Sequence, residues 1–439
     1  WLKPFWLKCT WSPVASHREG LVRRVNLTCF FVMKKFTYNV EIADAEAPVT
    51  EALQDIFSST ARNLQKITKE HKKLRDMVAA LTKERDGFKA EAAKLRNENM
   101  ALKEALRNGG AANGGSMQSG PYEFWKEIKS HGAPVHSVAV SKKNLMATAS
   151  WDATISINEL DPENPQRFKK TLGPKFGMNG VDQMGGLYAV AFGKTQAASH
   201  VLGCTSCDSN VYIWNYQTGE LLKKLTGHSN EVNHIDFHTS QQVICTASDD
   251  MTVQIWDFKE GITLRTLGAH TMPVYGSSFM GDENQYLVAT CCFDRKVRVF
   301  DMRDKTVVKT IDAHMDDIIG IDYNAALNAL ATGSDDGTVK TWDVRQGFKL
   351  SSDINLQDEL SPENEVKRVA FCPDGSQLAA GCSTGNVLIY DYSTKQRVAV
   401  LEGHSDCVFD VAWGTLQSGQ KVICSASHDH TSRIWVERG

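Results

Sequence analysis

Between Thr246 and Asp257 the chain reads TASDDMTVQIWD, and variants of this stretch return along the chain as far as its last residues. Close copies run from Gly333 to Asp343 and from Ala426 to Trp435. In each, an Asp stands six residues before a large aromatic: Asp250 and Trp256, Asp336 and Trp342, Asp429 and Trp435. The residues between them alternate in polarity, the pattern of a strand leaving a tight turn. Looser copies keep the offset at Asp152 with Asn158, Asp208 with Trp214, Asp294 with Phe300 and Thr384 with Tyr390, which makes seven. A repeat with a period of about forty residues cannot bury a core alone, so the units must stack on one another.

A second landmark, a Gly-His or Ala-His pair, precedes the Asp at His228, His270, His314 and His404. In an antiparallel unit of strands a, b, c and d, the loop entering strand a and the b–c turn share one end. His228 is therefore expected to meet Asp250 there, with Ser248 and Trp256 continuing the hydrogen-bond chain inward, since a buried indole N–H needs an acceptor. Three repeats hold all four members: His228, Ser248, Asp250 and Trp256; His314, Ser334, Asp336 and Trp342; His404, Ser427, Asp429 and Trp435. Ser, His and Asp together suit a nucleophile triad, but such a constellation occurs once, in a cleft. One that returns three times at the repeat period is expected to be structural. No enzyme activity, cofactor or metal is expected, and the lone Cys204 and Cys207 pair is read as thiols without zinc.

The Gly-His, Ser-x-Asp and Trp-Asp pattern resembles the WD-repeat family over residues 122–439. The resemblance implies a mainly β fold, a seven-bladed β-propeller of four-stranded blades, preceded here by a long coiled-coil helix. Residues 122–130 form a strand with no blade of their own, whereas the last repeat ends after strand c. The early strand is expected to complete blade seven and close the ring.

Upstream, residues 1–48 are expected to be irregular or disordered. Residues 1–32 hold Trp1, Trp6 and Trp11 and a single acid, Glu19, a composition that fits a transit peptide or a sequence preceding a natural start at Met33. The apolar run at 25–32 is too short to span a bilayer, so no membrane insertion is expected. Over 49–107 the period becomes helical: Leu53, Ile67, Leu74, Leu81, Phe88, Leu95 and Leu102 share one heptad position, and Phe57, Leu64, His71, Val78, Arg85, Ala92, Asn99 and Leu106 the companion one. The polar residues in the companion row favour few strands and a fixed register, which points to a homodimer. The uncharged, Gly-rich stretch 108–121 reads as a flexible linker.

Residues 61–107 carry 13 Lys and Arg against 7 Asp and Glu, while the net charge of the whole chain is −3. Surplus Lys on a solvated coil explains this without nucleic acid, which is not expected as a partner. Eleven cysteines without framework spacing indicate a reducing compartment, cytoplasmic or nuclear.

The function expected is that of a protein-interaction scaffold, a coiled-coil dimer presenting propellers. The residue inside each Ser-x-Asp triplet, and those flanking the first apolar residue of strand a, should surface together on one rim. This rule gathers Trp151, Tyr275, Phe293 and Phe409 into an aromatic patch. Glu231, Asp249, Asp317, Asp335 and Glu365 are expected to ring it and to select a basic protein or peptide segment. A second reading comes from residues 330–345, which resemble the docking box of cullin-RING ubiquitin ligase substrate receptors, with Asp336, Trp342, Asp343 and Arg345 at the matching positions. Asp294, Phe300, Asp301 and Arg303 form a poorer copy.

Light scattering is expected to find residues 49–107 dimeric and residues 122–439 monomeric. A monomeric 49–107 at micromolar concentration, or a dimeric 122–439, would contradict the heptad reading.

Overall fold

The computed structural model describes residues 25–31, 34–40, 120–160, 169–173, 185–357 and 363–438, together with the single positions Lys69, Lys72, Lys73 and Met77. Contacts divide the chain into two compact units, 1–113 and 114–439. In the first, Val25–Phe31 pairs antiparallel with Lys34–Val40, Val25 opposite Val40 and Phe31 opposite Lys34. A hairpin thus stands where an irregular segment was expected, and its β-branched and aromatic content accounts for it. The heptad segment lies outside the described residues except for Lys69, Lys72, Lys73 and Met77, which have helical backbone and exposed side chains and occupy neither of the two heptad rows. Among the described residues no helix is long and apolar enough to cross a membrane.

The second unit contains seven four-stranded antiparallel sheets. Blade one is built from Val135–Val140, Leu145–Ser150, Ile155–Glu159 and Lys169–Leu172. Blade three is Val232–Phe237, Val243–Ser248, Thr252–Asp257 and Ile262–Gly268. Blades two and four to six repeat the order, with strands a at Leu187–Phe192, Val274–Met280, Ile318–Asn324 and Val366–Phe371. In blade seven, Val408–Thr415, Lys421–Ser427 and Ser432–Glu437 are joined by Tyr122–Ile128, which pairs with Ser432–Glu437 from Tyr122 opposite Glu437 to Ile128 opposite Ser432. The ring closes because the sequence repeat is one strand out of phase with the blade.

Strands b are buried along their whole length in blades one, two, three and five, and they read as runs of apolar and small residues because both of their faces are covered. Between blades two and three, Val211, Ile213 and Leu225 pack against Val232, Ile235, Phe237 and Trp256. Backbones approach closely at Gly320, where a Cβ would lie 2.9 Å from the Val369 amide nitrogen of the next blade.

Strand a has an open inner edge, and its N–H groups need acceptors. Side chains of the preceding blade supply several. Asp236 accepts from the Phe279 amide at 3.0 Å, Asp322 from Phe371 at 2.8 Å and Asp410 from Val138 at 3.0 Å, so blades three, five and seven each clasp the next. Ser137 passes the link onward, donating to Asp410 at 2.7 Å and accepting from the Val190 amide at 3.2 Å. Lys194 and Arg368 accompany these carboxylates, 2.6 Å from Asp236 and 3.0 Å from Asp410. Burial nevertheless pushes the Asp322 carboxyl up to about 6.

Tyr122 is buried, edge-on to Trp413 at 6.0 Å, and its phenol donates to Gln377 of blade six. Tyr122→Ala should therefore cost about 3–5 kcal/mol in chemical denaturation, the range for truncating a buried aromatic. A loss under about 1 kcal/mol would show that the early strand does not hold the ring shut.

Candidate protein-binding mouth and its anchors

The site begins at the b–c turns. In blade three, one oxygen of Asp250 accepts from the Thr252 amide and hydroxyl, at 3.0 and 2.6 Å, and so shapes its own turn. The other oxygen meets His228 Nδ1 at 2.7 Å and the Ser229 amide at 3.1 Å, which ties the turn to the loop entering strand a. Burial favours the neutral carboxyl, but the bonds from His228 and Thr252 outweigh it and bring Asp250 down to about 2. The corresponding Asp152, Asp294, Asp336 and Asp429 are likewise held well below the usual carboxylate range by their His partners.

The inward continuation differs from the expected one. His228 Nε2 and the Trp256 indole N–H both meet the Thr246 hydroxyl, each at 2.8 Å, and not that of Ser248. Thr246 and Ser248 lie two residues apart on strand b and share a face, so composition could not choose between them. Ser248 instead donates to the Glu231 carbonyl at 2.7 Å and accepts from the Asp250 amide at 3.1 Å, stitching the loop to the turn. In blade five Thr332 takes the inner place between His314 and Trp342, while Ser334 donates to the Asp316 carbonyl. In blade seven Ser425 meets His404, and Ser427 bonds the Asp406 carbonyl; Trp435 is buried beside His404.

The anchor also recurs more widely than in the blades holding the full motif. In blade one, His131 meets Asp152 at 3.2 Å and Thr148 at 2.9 Å. It was missed because Ser130 stands where Gly or Ala precedes the others; its distance from Asp152 in sequence was the available signal. In blade four His270 meets Thr290 at 2.7 Å, and Arg298 reaches both His270 Nδ1 and Asp294. His270, Cys292 and Asp294 are close enough together to suggest metal ligands, but the Arg298 guanidinium already occupies the cation's place, and burial keeps the Cys292 thiol neutral by pushing it up to about 12.

Above the anchors the backbone repeats one device in all seven blades. The amide of the residue inside the triplet donates to the carbonyl just before strand a: Trp151 to Pro134, Cys207 to Gly186, Asp249 to Glu231, Phe293 to Pro273, Asp335 to Asp317, Ser383 to Glu365 and His428 to Cys407. The a–b register then slips past the second residue of strand a, a β-bulge. The residues freed from pairing at this second position are His136, Tyr188, Asn233, Tyr275, Ile319, Lys367 and Phe409, joined in blade two by Ala189. All seven second-position residues line a single open depression at the mouth of the channel.

The rim residues expected from sequence divide into sectors rather than into a patch within a ring. Across blades seven, one and two, Trp151 stacks on His136 at 4.9 Å, Phe409 stacks on His428 at 4.0 Å, and Tyr188 stands edge-on to both His136 and Trp151. Trp151 remains 48% exposed. Tyr275 and Phe293 form a separate stacked pair in blade four, 4.9 Å apart. The acids occupy blades three, five and six, and several have partners. Asp335 and Glu365 both pair with Lys367, Glu231 accepts from the Tyr188 phenol, and Asp249 accepts from Asn233. Burial and the neighbouring Asp316 raise the Asp317 carboxyl. His136, Tyr188, Lys367 and His428 obey the same positional rule that selected Tyr275 and Trp151; a preference for bulky aromatics and acids left out His136, Lys367 and His428, whereas Tyr188 satisfied the rule and was overlooked.

At residues 330–345, Asp336 and Trp342 belong to the blade-five anchor. Asp343 accepts from Gln346 at 2.8 Å, and Arg345 is exposed. The paired Asp and Arg lie instead in blade four, where Arg303 donates to Asp301 at 2.9 Å.

Seven antiparallel blades, turns anchored by His and Asp, and a ring closed by an early strand define a β-propeller assembled from repeats. Residues 219–257 and 261–301 match the family model described as WD domain, G-beta repeat, and residues 306–439 match that of the nucleolar protein 10-like N-terminal domain. The chain carries WD repeats and is similar to WD-repeat proteins. It is 43% identical over 63 residues to human WD repeat-containing protein 37, covering 14% of this chain and 12% of that one. It is 33% identical over 109 residues to chicken WD repeat-containing protein 1, covering 24% and 16%. To zebrafish guanine nucleotide-binding protein subunit beta-5b it is 30% identical over 116 residues, covering 26% and 28%. These matches span between 12% and 28% of the relatives' lengths. WD-repeat propellers generally serve as non-enzymatic platforms for binding other proteins.

Two outcomes are expected of the anchors. Thr246→Val should cost about 1–3 kcal/mol, because it orphans both His228 Nε2 and the Trp256 N–H; denaturant titration checks this, and a neutral result would return the inner place to Ser248. Since Asp250 has its folded pKa below the unfolded value, its stabilisation is present above pH 4 or so and is lost as pH falls toward about 2. Thermal melts should therefore show a smaller acid slope for Asp250→Ala than for the wild type.

Proposed function

We propose that the protein is a scaffold whose channel mouth binds a protein or peptide segment containing Lys or Arg. The observation that carries this reading is the convergence of one freed side chain from every blade on a single depression. Aromatic side chains form much of its wall, and Trp151 stands exposed beside it. Rigid aromatic surface of this kind contributes most of the binding energy in protein interfaces. Glu231, Asp249, Asp317, Asp335 and Glu365 add negative potential that speeds the approach of a basic segment and selects for it. The anchors beneath hold the turns and play no part in chemistry.

The heptad rows in 49–107 support a homodimer that presents two such mouths. The nine cysteines between Cys204 and Cys424 are all free thiols, which supports a reducing compartment, cytoplasmic or nuclear. One observation favours docking to a ubiquitin-ligase adaptor as a second reading: Arg345 is exposed at the docking position and has no hydrogen bond or ion pair among the described residues. Co-purification of the linker-adaptor, lost on Arg345→Ala, would establish it.

Replacing Trp151 and Phe293 together by Ala should weaken the main partner by at least about 2 kcal/mol with an unchanged melting temperature, measured by calorimetry on the full chain. Wild-type affinity in that double variant would move the interface to the opposite face or to the blade edges.

A further inference from the structure

The charges at the mouth are unevenly compensated. Lys367 lies 2.8 Å from Asp335 and 2.6 Å from Glu365, and Arg368 lies 3.0 Å from Asp410. Glu231 and Asp249 receive only neutral donors, the Tyr188 phenol at 2.5 Å and the Asn233 amide at 2.7 Å. Among the described residues no Lys, Arg or His pairs with either carboxylate. Burial raises the Asp249 carboxyl, and the charge of Glu231 adds to the effect, so a cation arriving here would relieve a standing repulsion.

Beside these acids lies the one broad exposed aromatic among the described residues of the mouth. Tyr188, whose phenol holds Glu231, is edge-on to Trp151 with ring centroids 6.0 Å apart. Trp151 is backed by His136 in a nearly parallel stack, 5° between planes, which fixes its orientation. Tyr188 thus bridges the exposed indole and the uncompensated carboxylate, its ring against the first and its hydroxyl on the second. A guanidinium fits both, since its plane stacks on indole while its fork of N–H donors matches a carboxylate. An ammonium is a hydrated point charge and can satisfy only one of the two well.

We propose that Trp151, Tyr188 and Glu231, drawn from blades one to three, form an arginine subsite. An arginine side chain of the bound segment lies against the indole of Trp151 and directs its donors to Glu231, and Asp249 supplies a second negative charge. This inference rests on the reading of the mouth as a binding surface.

The test presents the full chain with short peptides of randomised flanks and Arg, Lys, citrulline or Ala fixed at the centre. The Arg pool should be retained about tenfold over the Lys and citrulline pools, as expected where stacking and a charged fork act together. Glu231→Gln should reduce retention of the Arg pool about fivefold without changing the melting temperature, and Trp151→Phe should retain more of it than Trp151→Ala does. Equal retention of Arg and Lys, citrulline matching Arg, an unaffected Glu231→Gln, or no retention of any pool would each overturn the subsite. If the Trp151 and Phe293 double variant loses the natural partner while Glu231→Gln does not, the mouth stands as the interface and only the subsite falls. If the double variant keeps the partner, the reading of the mouth falls with it.

Discussion

The bond between the turn carboxylate and the loop histidine is the interaction on which the rest of this propeller depends. Asp250 satisfies its own turn with one oxygen and reaches His228 and the Ser229 amide with the other. The histidine's far nitrogen then enters the blade and meets Thr246, which also takes the Trp256 N–H. A short polar chain thereby runs from solvent to a fully buried indole, and every group along it has a partner. In the five blades that hold it, the same bond ties down the loop before strand a. The bulge that follows then turns one side chain from each blade toward the channel.

Stability and recognition are thus placed at adjacent residues of the same turn. Asp250 anchors the turn, whereas Asp249, one position earlier, faces the mouth; Asp152 and Trp151 divide the roles in the same way. This arrangement lets the residue inside the triplet vary from Trp to Cys, Asp, Phe, Ser and His across seven blades while the backbone contact from its amide stays constant. The chemistry of the mouth is therefore written in residues that the fold does not constrain. Its division into an aromatic sector at blades seven, one and two and an acidic sector at blades three, five and six follows from them.

The repeat, the blade count and the closing strand were legible because each leaves a periodic or end-of-chain signal. What sequence could not provide was any distinction that depends on which of two equivalent groups faces a partner. Thr246 and Ser248 are both hydroxyls on one face of strand b, and only the packed blade shows that the first bridges His228 and Trp256. His131 was hidden by an atypical preceding residue, though it meets Asp152 and Thr148 as the other histidines meet their partners. The acids of the mouth read as a uniform ring until Lys367 is seen to hold Asp335 and Glu365, because pairing across blades leaves no trace in local pattern. The aromatic cluster was half visible: Trp151 and Phe409 are bulky enough to notice, but His136, which contacts both, reads as an ordinary strand residue.

The central claim is that the freed residues at the channel mouth, and not the outer strands, form the interaction surface. Hydrogen exchange on the full chain with and without its co-purified partner tests this most directly. The account predicts slowed exchange in the triplet turns and at the starts of strands a, around residues 134–137, 150–153, 187–189, 292–295 and 407–410. Protection confined to outer strands such as Ile262–Gly268 and Val307–Asp312, with those turns unchanged, would contradict it.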